Sequence, residues 1–364
     1  MDVAAARLAN QQLVRPRFNT AAELVAWFGA VQAQDYAGSL WAIGQRLPDA
    51  LEADVEAAVV SRAIVRTWPM RETLHFVAAA DARWMLALLA PRLTTRNAGR
   101  YRQLELDEAA FARARKVLVR VLRAGVRLTR AAVYEALERG GVSPTGQRGI
   151  HVVAHLAQEG LICFGPREGK QPTFVLLDEW VPSRAEPSRD EALARLATLY
   201  FRSHGPATLP DFAWWSGLLM KDARAAIHEA GDEIACDTRG GRMTWMGRAT
   251  AARGSRASTV PLAALLPPWD EYLVAYKDRA AALGHLAVDP PPMVIGNALL
   301  VVDGRVRGTW KRALAPSTVA ITLEFWSRPT GDERRAALAA VERYGRFVGR
   351  KAVASIGARS ERTG

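Results

Sequence analysis

Two glutamines, Gln32 and Gln34, flank Ala33 in the stretch Val31-Gln-Ala-Gln-Asp-Tyr36, just after a helix-like run from Ala21 to Ala30. In an extended segment, side chains two apart share a face, so both carboxamides point to one place. In a continuing helix they diverge by about 200° and cannot act together. Two converging carboxamides present two acceptors and four donors without charge, enough to hold a water or a sugar. The plainer reading is a polar helix end whose amides cap backbone groups. What accompanies the pair along the chain decides between the two.

Other chemistry is sparse. Cys163 and Cys236 are too few and too far apart for a disulfide framework or a zinc site. His151 and His155 form the one i, i+4 histidine pair, without the glutamate of a zinc-protease helix. The expectation is a protein with no metal and no cofactor. With no signal peptide and no apolar run of 18 residues, the expected location is the cytoplasm.

The 364 residues suffice for several cores and carry a formal net charge of +12. Only six of the 49 basic residues are lysines, so part of this bias reflects base composition. Its distribution says more: eleven Lys/Arg against three acids from Pro91 to Arg130, and six against one from Arg343 to Gly364. Clustered positive charge attracts phosphates and releases counterions on binding, and arginine forks onto phosphate better than lysine.

The elements that must position these groups read as follows. Residues 1–90 give helix, loop, helix (Glu52 to Ile64), then a strand-like return from Val65 to Val77, with Asp81 capping a helix from Ala82 to Leu89. The segment 91–130 is basic and mostly helical. Residues 128–178 read most clearly. Thr129 caps a helix to about Glu138, Gly140-Gly141 ends it, and Ser143-Pro-Thr-Gly146 turns into a second helix, Gln147 to Glu159. Two short strands (161–164 and 173–177) then flank a polar tip. Helix, turn, helix and two-stranded wing is the winged-helix pattern. Trp180 to Asp190 reads as a linker. Helices from Glu191 to Ala230, with an abbreviated wing (234–236 and 243–245), resemble a further such unit, and Arg248 to Arg256 reads as a basic mobile segment. Beyond Leu262 the period becomes two: Met293–Ile295, Ala298–Val302, Arg305–Trp310 and Ser317–Phe325 read as strands. Asp303-Gly304 is a type I′ hairpin signal, and Glu333 to Arg346 is a closing helix. A curved sheet or small barrel is expected there. The fold class is α+β: three tandem winged-helix units and a C-terminal β-barrel-like domain. The expected divisions are 1–118, 119–183, 184–260 and 261–364.

Four strings then carry a family resemblance: Pro268-Trp-Asp-Glu-Tyr-Leu-Val-Ala-Tyr-Lys-Asp-Arg279, Trp68-Pro-Met-Arg-Glu-Thr-Leu-His75, Gly308-Thr-Trp-Lys-Arg312 and Arg343-Tyr-Gly-Arg-Phe347. Together, and in this order over nearly the whole chain, they resemble the winged-helix DNA glycosylases of the AlkZ type. The resemblance implies a tandem array of winged helices plus a barrel-like domain, curved around DNA. It implies a catalytic signature of glutamine, apolar residue, then glutamine or aspartate. Gln32-Ala33-Gln34 matches the double-glutamine branch, associated with self-resistance to DNA-alkylating natural products. The aspartate branch, which resembles the crosslink-unhooking AlkX, is not matched at Gln34. Asp35 follows at once, but a shift of one residue turns it to the other side of an extended segment. The family also probes the lesion with a hairpin from the minor groove, and Val302-Asp-Gly-Arg305 fits that position.

A glycosylase breaks the bond between deoxyribose C1′ and a base nitrogen. A carboxamide is a very weak base, so Gln32 and Gln34 can orient a water and hydrogen-bond developing charge but cannot abstract a proton strongly. That suffices when the base leaves readily, as a guanine made cationic by N7 alkylation does. The nearest lysine in sequence is Lys116, so the expected reaction leaves an abasic site without strand cleavage. Bulky or crosslinked adducts fit a reader working from the groove better than a base-flipping pocket. The expected partner is double-stranded DNA carrying alkylated guanine, with no membrane and a monomeric enzyme. Gln32 and Gln34 are the expected catalytic residues. Asp303, Gly304, Arg305, Arg307, Lys311 and Arg312 are the hairpin and DNA contacts, and Arg148, His151, Arg167 and Lys170 are further DNA candidates. Arg71 and His75 are candidates near the active site. The competing readings are a non-catalytic winged-helix DNA-binding protein or transcription regulator, and a glycosylase for simple methylated purines.

Overall fold

The computed structural model describes residues 2–183, 185–239, 241–251, 261–284 and 296–358. The chain forms two compact units. One is Glu56–Ala192; the other joins Met1–Val55 to Leu193–Gly364. This grouping differs from the four consecutive segments expected from sequence, because the N-terminal helices pack with the C-terminal half.

In the Glu56–Ala192 unit, the antiparallel pair Ile64–Met70 and Thr73–Ala78 is closed by Arg71 and Glu72 at φ 52° and 62°. That is a two-residue turn in left-handed geometry made without glycine. The helix expected at Ala82 starts at Ala79 and runs 25 residues to Gln103. Asp81 is therefore not its cap: it lies inside the first turn, buried, and accepts from the Trp84 indole N–H at 2.9 Å.

The second winged helix follows its local signals closely. Helix Glu108–Leu122 is capped by Asp107, and strand Leu128–Thr129 leads into Arg130–Arg139, capped by Thr129 and ended at Gly140. Helix Arg148–Gln158 then precedes the wing strands Ile162–Glu168 and Gln171–Leu176. The wing is longer than expected, leaving Gly169 and Lys170 as its turn. Arg66 pairs with Phe164, so the first hairpin extends the sheet of the second winged helix. Trp68, Phe111, Leu118, Val133, Val152, Leu156, Phe164 and Phe174 form the core beneath.

In the other unit, helices Val3–Asn10, Ala21–Phe28 and Tyr36–Gly44 accompany a third helix–turn–helix with wing. The latter comprises Arg189–His204, Leu209–Ser216, Met220–Ala230 and the hairpin Ile234–Arg239 with Arg242–Gly247. The C-terminal sheet runs in the order 351–358, 318–325, 305–314, 299–302, 263–266. Its edge strand Lys351–Ala358, not expected from sequence, pairs parallel with Thr318–Phe325, and helix Gly331–Phe347 makes the crossover. Trp41 and Trp310 pack on buried Tyr344 at 5.0 and 5.2 Å, and Phe347 packs on Trp41 at 5.1 Å. Met293–Ile295, the end of the 248–256 segment and the last basic residues, Arg359 and Arg362, lie outside the described residues. No helix among the described residues is long and apolar enough to cross a membrane.

Candidate active site at the Gln-Ala-Gln segment

The segment is set up by the helix before it. Thr20 and Glu23 form a reciprocal capping box at the start of Ala21–Phe28. Gly29, at φ 81°, ends the helix in a conformation that side chains with a Cβ rarely adopt. The chain leaves extended as strand Ala30–Gln32 and then bends at Gln34 and Asp35 before helix Tyr36–Gly44. Gln32 is 7% exposed, whereas Gln34 is exposed. Asp35 occupies the N-cap position of the following helix without a capping hydrogen bond. Its carboxylate lies over Gly38, where an added Cβ would stand 2.5 Å from Oδ2 and 3.2 Å from Pro267. A residue with a side chain at 38 would displace one of these neighbours.

The Pro268–Arg279 string meets this segment residue by residue. Asp270 caps helix Glu271–Val274 and takes a two-pronged guanidinium from Arg46, at 2.6 and 2.8 Å. Arg46, itself buried, also donates to the carbonyls of Gln11 and Ala42. Glu271 is 1% exposed and its Oε1 accepts the Gln32 backbone N–H at 2.8 Å. Its Oε2 accepts from Trp215 Nε1 at 3.1 Å and lies 3.4 Å from His204 Nε2. Burial lowers the His204 pKa despite this carboxylate, favouring the neutral ring. Tyr272 donates to the Gly304 carbonyl at 2.8 Å. Sequence reasoning reads Asp270, Glu271 and Tyr272 as structural, but these partners lie 32 to 239 positions away, beyond any local pattern.

The hairpin residues are distributed in a specific way. Asp303 and Gly304, at φ 48° and 80°, make the type I′ turn expected. The turn is docked: Gly304 is buried, an added Cβ there would stand 2.7 Å from the Tyr272 hydroxyl, and Asp303 Oδ1 accepts from the Leu262 N–H at 2.9 Å. Strand Arg305–Leu314 alternates, so Arg305, Arg307 and Lys311 share one face. Arg307 pairs with Glu333 at 2.9 Å and Lys311 with Glu324 at 3.8 Å. Arg312 faces the other way and its guanidinium reaches the Tyr344 hydroxyl. The opposite end of this strand is the exposed turn: Leu314, at 53% exposure, and the exposed residues Ala315 to Ser317 close it. The Pro-Ser pair there was a turn signal that the stronger Asp-Gly signal overshadowed.

Among the winged-helix candidates, Arg148 donates to the carbonyls of Ser143, Leu104 and Glu105, closing the end of the long helix. His151 is partly buried against Tyr101. Arg167 and Lys170 meet across the wing, with Arg167 Nη2 donating to the Lys170 carbonyl at 2.6 Å. Arg71 and His75 are neighbours in the Glu56–Ala192 unit, 3.3 Å apart, and His75 Nδ1 lies 3.0 Å from the Thr73 carbonyl. Part of the charge on the basic helices is locally paired: Arg96 with Glu72, Arg115 with Glu159.

The buried Glu271 carboxylate thus holds the Gln32 peptide N–H, within the tandem winged helices and C-terminal sheet of a winged-helix DNA enzyme. The chain belongs to the AlkZ-like DNA glycosylases: the family described as "DNA glycosylase AlkZ-like" matches residues 25–347. It is 27% identical to the "Interstrand DNA cross-link repair glycosylase" of Streptomyces sahachiroi, over 93% of each chain. Its fold is similar to the solved structure of Streptomyces sahachiroi DNA glycosylase AlkZ, with a TM-score of 0.80, 23% identity and 98% of both chains covered.

Proposed function

We propose that this enzyme hydrolyses the N-glycosidic bond of bulky, cationic N7-alkylguanine in duplex DNA, acting as a monomer and leaving an abasic site. Gln32 and Gln34 orient the water and hydrogen-bond the charge that develops on the sugar. The observation that carries this reading is the pair itself, at the point where strand Ala30–Gln32 gives way to a bend. Groups so weakly basic suit a leaving group already activated by its own positive charge. The name of the Streptomyces sahachiroi relative supports extending the substrate to interstrand crosslinks in DNA repair; the double-glutamine signature is the ground for proposing self-resistance to a DNA-alkylating metabolite as the setting.

Arg305, Arg307 and Lys311, which share one face, are proposed to carry the hairpin onto the phosphates, with the exposed turn after Leu314 reaching furthest and Arg312 contributing from the other face. Arg167 and Lys170 at the wing add sequence-independent contacts.

The test is a gel assay on a duplex with one defined bulky N7-guanine adduct, hot alkali revealing abasic sites, and spontaneous depurination subtracted. Wild type is expected to release the base, and Gln32→Ala/Gln34→Ala to lose at least about 100-fold in single-turnover rate. Full excision by the double variant would overturn the assigned mechanism.

A further inference from the structure

We propose that Glu271 is a positioning residue for the reaction, acting on Gln32 through the backbone; this rests on the catalytic assignment of Gln32 above. Its carboxylate is 1% exposed and accepts the Gln32 N–H at 2.8 Å. Strand Ala30–Gln32 is only three residues long, and the chain bends two residues after this amide. The position of this peptide sets the origin of the Gln32 side chain, and a charge-assisted bond from a carboxylate to its N–H holds it.

The carboxylate is itself oriented. Trp215, fully buried, donates its indole N–H to Oε2 at 3.1 Å, and Gln11 Nε2 donates to the Glu271 carbonyl at 3.3 Å. His204 lies 3.4 Å from the same Oε2 and stacks on Tyr200 at 4.9 Å, with its Nδ1 2.8 Å from the Ser203 hydroxyl. Burying a carboxylate among aromatic side chains is costly, and an apolar residue of similar size would pack there more cheaply. What an apolar residue cannot provide is an acceptor for the Gln32 amide. Displacing a group that orients the reacting water by a fraction of an ångström slows the chemistry while leaving the DNA-binding surface in place.

The experiment uses the full chain and single-turnover excision from the bulky N7-guanine duplex. Affinity for undamaged duplex and the thermal midpoint are measured beside it. Glu271→Gln keeps the shape and one acceptor but removes the charge, and is expected to lower the rate on the order of 10-fold. Glu271→Ala is expected to lower it by about 100-fold. Affinity for undamaged duplex should be unchanged in both. The same Glu271→Gln change on a Gln32→Ala background is expected to have no further effect, because a residue acting through Gln32 has nothing left to position. Where Glu271→Ala does not fold, Glu271→Gln and the double variant decide. Wild-type rate in Glu271→Gln overturns the proposal. So does an additive loss in the double variant, which would mark a role independent of Gln32. Wild-type rate in Gln32→Ala alone overturns the catalytic assignment itself, and is read separately from the Glu271 series.

Discussion

Arg46 and Asp270, 224 positions apart in sequence, form a bidentate ion pair with both side chains 2% exposed. The pair ties the end of helix Tyr36–Gly44 to the cap of helix Glu271–Val274, so the segments that carry Gln32 and Glu271 share one buried clamp. Removing one partner leaves an uncompensated charge inside the protein. Asp270→Ala is expected to destabilise by about 3–5 kcal/mol, read as a lower urea midpoint. The double change Arg46→Met/Asp270→Leu should cost clearly less than Asp270→Ala. A double variant as unstable as the single one would show that the fit of the pair, rather than stranded charge, dominates.

Leu314 is a large apolar side chain at 53% exposure, at the strand end that leads from Lys311 and Arg312 into the exposed turn. Leu314→Ser removes nothing from the core, so the thermal midpoint should stay within about 1 °C of wild type. If the turn enters the groove, excision of the bulky adduct should fall by about 10-fold, for the loss of one well-packed apolar contact. Unchanged excision would remove this turn from the reading.

His204 is buried with its pKa lowered, first by desolvation. The unfolded chain, with an ordinary histidine near 6.5, therefore binds more protons than the folded one just below that pH. This contribution to stability is present above about pH 6.5 and is lost as the pH falls through the folded value. Thermal midpoints measured from pH 8 to pH 5 should drop less steeply in His204→Gln than in wild type. Parallel curves would sink the assignment.

Cys163 is buried, and burial pushes its thiol above the ordinary range, whereas Cys236 is exposed. In native protein a thiol reagent at pH 8 should titrate Cys236 fast and Cys163 only after denaturant is added. Two fast thiols without denaturant would mean that the Ile162–Glu168 strand opens readily.

How much of this was legible in the sequence follows from the range of each interaction. Thr129 as a cap, Gly140 as a terminator and Asp303-Gly304 as a type I′ turn act within a few residues, and the structure has each of them. The glutamine pair was likewise visible as residue types at a spacing. Asp81 shows the limit of local reading: the helix starts two residues earlier, at Ala79, so a good capping residue lies inside the first turn, where it accepts from Trp84. The Asp303-Gly304 turn has the backbone expected but is docked beneath Tyr272, a contact set by a side chain 32 positions away.

The sequence alone determined the caps, the turn residues and the second winged helix, because backbone preference, capping and periodicity are local physics. The tertiary structure decided that Gly304 is docked on Tyr272, that Lys351–Ala358 joins the sheet in parallel, and that the Gln32 peptide N–H is held by Glu271. Those depend on hydrogen bonds and burial between residues as far as 239 positions apart, which no local pattern encodes.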